Sequence, residues 1–110
     1  MPEDTQGKGL DVGTFSRSVM DSYGKSQDNG RRTVYAHAAT AADSSRVSLP
    51  NAVRLGDHTL RRYSELRQNG FGHLSAREQT AEEMSRRFDD RGRDSQQQQK
   101  PRHRSQGVSL

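Results

Sequence analysis

His37, His58, His73 and His103 are the side chains whose type best suits metal binding or proton transfer at neutral pH. No two stand four residues apart, and the chain has no cysteine to complete a ligand set, so no metal centre is expected. Glu82 and Glu83 are adjacent and would diverge on a helix, which favours solvent over paired acid–base work. Gly24-Lys25-Ser26 ends like a phosphate-binding loop, but the pattern needs a glycine where Val19 stands and a buried strand before it. Gly70-Phe71-Gly72 opens like a dinucleotide fingerprint but carries Ser75 in place of the last glycine. Arg86-Arg87 and Arg102-His103-Arg104 are either phosphate contacts or a solvated helix end and a solvated tail. The chain is therefore read as non-enzymatic, with no metal and no cofactor.

The elements that must position these groups are constrained by composition. Only 27% of the 110 residues are hydrophobic and 5% aromatic, with a mean hydropathy of -1.18. An ordinary globular domain is about 45–50% apolar, so one small domain is the most the chain should bury. Its apolar residues gather between Val34 and Phe88. With no disulfide to help, pairing with a second copy is the cheapest way to complete a core. The net charge is +4, from 18 basic and 14 acidic residues, and the basic excess lies from Arg31 onward. That balance favours a polyanionic partner. No apolar run approaches the ~20 residues of a membrane span. The N-terminus lacks a secretory h-region, and a cytoplasmic location is expected.

Residues 1–32 read as a flexible arm, although Phe15, Val19, Met20 and Tyr23 have helical spacing and could fold back on the core or dock on a partner. Residues 33–50 read as a short alanine-rich helix or linker. From Val53 to Gly70 a two-residue alternation (Val53, Arg54, Leu55) gives way at Gly56-Asp57 to a helical stripe of Leu60, Tyr63 and Leu66. Asp57 is the expected N-cap and Asn69-Gly70 the stop. Ser75 and Glu78 match a capping box for a second helix that carries Leu74, Ala81, Met84 and Phe88. Residues 89–110, with Gln96 to Gln99 and a basic cluster, read as a disordered tail.

Strand, capped helix, turn and second capped helix over residues 51–88 resemble the ribbon-helix-helix repressors of the Arc and MetJ kind. The resemblance implies a mainly α fold with one short strand, paired as a homodimer whose antiparallel ribbon enters the major groove of double-stranded DNA. Ala52 and Arg54 would then face the bases, and arginine can bind guanine through two hydrogen bonds. Ser75, Ala76 and Arg77 would meet a phosphate. The shared core would comprise Val53, Leu55, Leu60, Tyr63, Leu66, Leu74, Ala81, Met84 and Phe88. In an alternative register, residues 46–49 form the ribbon and Arg46 and Ser48 read the bases. That choice places Gly56-Asp57 inside a helix of about nineteen residues at a cost in stability, and the later strand is preferred.

The resulting functional expectation is a small DNA-binding transcriptional regulator, a repressor of the antitoxin or autorepressor kind by family analogy. The alternatives are a largely disordered adaptor or inhibitor that folds on a protein partner, or a substrate of a secretion machine recognised through its basic tail.

Overall fold

A computed structural model describes residues 8–26 and 30–95. Four helices account for most of them: α1 Val12–Ser26, α2 Gly30–Ser44, α3 Leu49–Gln68 and α4 His73–Arg87. Among the described residues there is no strand beyond one isolated antiparallel bridge between Phe88 and Asp94. The helices run up and down in an antiparallel bundle in which α1 and α3 each pack on all three others. The ribbon-helix-helix expectation is thereby corrected: residues 52–55, read as the ribbon, lie within α3, and a helical bundle replaces the paired strands.

The first helix of the ribbon reading and its supposed strand are one element because Ser48 starts it. Ser48 accepts a hydrogen bond from the Asn51 amide at 3.2 Å, and Pro50 follows inside the first turn, where its missing N–H costs nothing. The apparent break at Gly56 is a contact. A Cβ there would stand 2.7 Å from Val34 Cγ1, so the glycine lets α3 approach α2 closely. A stripe of Ala52, Leu55, Thr59, Tyr63 and Leu66 is buried along α3, at steps of three and four residues. Helix α3 stops where Asn69-Gly70 predicts. Gly70 takes a φ of 99°, the Gly70 amide donates to Arg67 O and the Phe71 amide to Leu66 O, each at 3.1 Å.

Helix α1 lies in the segment read as an arm, and it supplies Val12, Phe15, Val19 and Met20 to the core. Helix α2, read as a short helix or linker, adds Val34, Ala38 and Ala41 at positions i, i+4 and i+7. The core thus closes within one chain, around Met20, Leu55 and Met84, with Ala38, Ala41, Ala52, Ala76 and Ala81 letting helices lie close together. At its centre Thr59 donates to Leu55 O (2.8 Å), which leaves Ser16 as donor to Thr59 Oγ1 (3.1 Å). The hydroxyl of Thr80, also fully buried, has no hydrogen-bond partner among the described residues.

Residues 89–94, assigned to the tail, form an ordered clasp. Asp94 is buried and accepts from Arg87 at 2.8 Å, the Leu10 amide donates to Asp90 O at 2.7 Å, and Asn51 Nδ2 donates to Arg91 O at 3.2 Å. The clasp joins the end of α4 to the starts of α1 and α3. The expectations for residues 1–7 and 96–110, including the glutamine run and its basic cluster, lie outside the described residues.

Candidate functional site

Three helices each bring one pair of residues four apart to the end of the bundle remote from the clasp: Asp21 and Lys25 from α1, Tyr63 and Arg67 from α3, His73 and Arg77 from α4. Such pairs share a helical face, and the crossing of the three helices makes the faces converge. Asp21, Gly24, Lys25, Tyr63, Arg67 and His73 line a hollow of about 340 Å³.

The inner groups form a chain of hydrogen bonds. Asp21 accepts from Arg77 Nε at 2.8 Å and from Arg77 Nη2 at 3.1 Å, and His73 Nε2 approaches it at 3.3 Å. A carboxylate can only accept, so the proton of a neutral His73 belongs on Nε2. Nδ1 then accepts from the Tyr63 hydroxyl at 2.9 Å. The Arg77 hydrogen bonds, acting against partial burial and joined by its charge and that of His73, hold Asp21 below the usual carboxylate range. Arg77 also meets Glu78, which Arg17 of α1 grips at 3.1 Å, and the Arg17 hydrogen bond lowers the Glu78 pKa as well. Arg62 ties α3 to Glu83 of α4 at 2.9 Å.

Lys25 and Arg67 differ from these arginines. Both are exposed at the rim and neither has a carboxylate partner among the described residues; Arg67 Nη1 donates instead to Phe71 O at 3.0 Å. Beside that rim, on the turn and the start of α4, Phe71 and Leu74 are 41% and 70% exposed.

The residues expected to contact DNA are scattered. Ala52 and Ala76 are buried, which removes a base contact and a phosphate contact. Arg77 is engaged with Asp21. Ser75 lies in the first turn of α4 and accepts from Gln79, because the helix starts earlier, at His73, with Gly72 as an N-cap that makes no side-chain hydrogen bond. Arg54 is exposed on α3 with a long 3.5 Å approach to Asn51 Oδ1. In the alternative register, Arg46 sits in the α2–α3 connection with its amide donating to Lys8 O, and Ser48 caps α3. Of the expected core, Leu55, Tyr63, Leu66, Ala81, Met84 and Phe88 are buried, Val53 and Leu60 are half-buried, and Leu74 faces solvent. Its exposure is a correction, because α4 turns Ala76, Thr80, Ala81 and Met84 inward. Asp21, Lys25 and His73 were not singled out as a site in the sequence. Only their partners across space make them one: Arg77 lies 56 positions from Asp21, and Tyr63 lies 10 from His73.

Comparison with protein-family models, with curated protein sequences and with solved structures found no match. Among the described residues, no three His, Cys, Asp or Glu side chains are grouped to hold a metal ion, and no helix is long and apolar enough to cross a membrane.

Proposed function

We propose that this chain is a small non-enzymatic protein-interaction module that presents the α3–α4 turn to a partner. The observation that carries the reading is the joint exposure of Phe71, whose carbonyl holds Arg67 of the hollow's lining, and Leu74, which follows His73 of that lining. A chain with 27% hydrophobic residues has little apolar surface to spare. Each large apolar side chain kept from the core forgoes about 1.5–3 kcal/mol of burial. Two within four residues, near a concave surface, suit contact with another molecule. This differs from the adaptor expected from the sequence, which would use the amphipathic faces of α3 and α4 against its partner: those faces are spent on the chain's own core.

NMR titration of the full chain with a panel of amphipathic synthetic peptides tests this. Binders should shift the Phe71, His73 and Leu74 signals, leave exposed Tyr35 and Leu49 unmoved, and be lost in Leu74→Glu. Binding that maps to Tyr35 and Leu49, or that survives Leu74→Glu, sinks the reading.

Electrostatic binding to duplex DNA, without a ribbon, is a second reading with one observation in its favour. Arg54 and Arg61 are exposed on α3 and act on His58 together with Arg87. Such binding would weaken steeply with salt and in Arg54→Ala/Arg61→Ala. Absence of binding at low salt would exclude it.

A further inference from the structure

The cations around the hollow fall into two groups. Arg17, Arg62 and Arg77, which clamp helices to one another, are each paired with carboxylates at 3.1, 2.9 and 2.8 Å. Lys25 and Arg67, on two different helices at the rim, are the cations there without a carboxylate among the described residues. Asp21 is the acidic residue of the lining, and its charge is met by the two-pronged Arg77 contact and by His73. Among the described residues, the uncompensated charge facing an incoming group is therefore positive. We infer that the partner segment is acidic, and that it seats a side-chain carboxylate between Lys25 and Arg67 while neighbouring apolar residues cover Phe71 and Leu74.

Geometry and size support the same occupant. Arg67 Nη1 is held by Phe71 O at 3.0 Å, so one guanidinium edge is fixed beside the apolar turn and the rest of its fork stays open to a carboxylate. The hollow, about 340 Å³, is at the small end of ligand sites and suits a side chain better than a nucleotide-sized cofactor. Charge and apolar surface lie side by side, which specifies a segment with Asp or Glu next to Leu or Phe.

This inference rests on the interaction-module reading, and one experiment separates the two. The isotopically labelled full chain is titrated with the synthetic peptide Glu-Leu-Glu-Glu-Leu-Phe, with its glutamine-for-glutamate twin, and with inorganic phosphate. The acidic peptide should shift the Lys25, Arg67 and Leu74 signals, and the neutral twin should bind about five- to tenfold more weakly, the range expected of two solvent-exposed ion pairs. Lys25→Gln/Arg67→Gln, at exposed positions and with unchanged circular dichroism, should abolish that difference. Equal affinity for both peptides, with binding still lost in Leu74→Glu, overturns the acidic partner and leaves the module. Phosphate shifting the same signals with the peptide's affinity overturns the peptide in favour of a free oxyanion. No binding of either peptide, or binding indifferent to Leu74→Glu, overturns both.

Discussion

His58 shows how a single side chain couples this bundle to pH. Its ring lies 5.6 Å from that of Phe88, half-buried on α3. Burial first, then the charges of Arg87 and Arg61, with a smaller push from Arg54, depress its pKa below the ordinary 6.5, and Asp94 only partly opposes them. The folded state therefore binds a proton at His58 less readily than the unfolded state does. Linkage gives the sign: as pH falls below 6.5 the unfolded chain takes up the proton first, so stability declines through the interval down to the depressed folded value. Asp21 acts in a separate window. Its pKa is lowered from 3.8, so its contribution is present above 3.8 and is lost as pH falls through the lower folded value. Denaturant midpoints measured against pH should fall in two steps, and His58→Gln should remove the upper one. An unchanged upper step in that variant would place the titration elsewhere.

At the scale of elements, Gly56 decides how α2 and α3 meet. Alanine in a helix interior is better than glycine by about 1 kcal/mol. Here, however, the new methyl would stand 2.7 Å from Val34 Cγ1, on a β-branched side chain that is stiff in a helix. Overpacking of that kind costs about 1–3 kcal/mol. Gly56→Ala should therefore lower the thermal midpoint, and the same change in a Val34→Ala background should be neutral or stabilising; destabilisation of equal size in both backgrounds would show that the clash is not with Val34. The same glycine explains where sequence reading failed. Val53-Arg54-Leu55 has a strand's period over too few residues to outweigh the helix around it. A glycine and an aspartate at 56 and 57 look like a boundary when the neighbouring helix is unseen. The stop at Asn69-Gly70 was legible because its cause is local, a glycine able to take a positive φ. The helical spacing of Phe15, Val19, Met20 and Tyr23 was visible too. Its destination was not, because burial against α3 and α4 depends on partners far along the chain.

At the scale of the whole molecule, α1 is the element that makes one chain sufficient. It packs on α2, α3 and α4, and Phe15, Val19 and Met20 are almost wholly buried among them. We propose that this helix takes the part that the composition assigned to a second copy. The full chain should elute from gel filtration as a 12.4 kDa monomer at micromolar concentration. A version beginning at Gly30 should lose cooperative unfolding, because removing several core side chains at about 2–5 kcal/mol each exceeds the margin of a small domain. A stable dimer of the full chain, or an intact fold without α1, would refute that account. The Leu10–Asp90 hydrogen bond has a further consequence for connectivity. It brings residues 80 positions apart into contact at 2.7 Å, so the backbone between them is already close to a ring. Because loop-closure entropy grows only slowly with length, a short linker between the segments flanking that bond would add little strain. The break in the covalent path could then move to the glycine-bounded turn at Gly70 to Gly72, leaving the four helices in the same order around the circle.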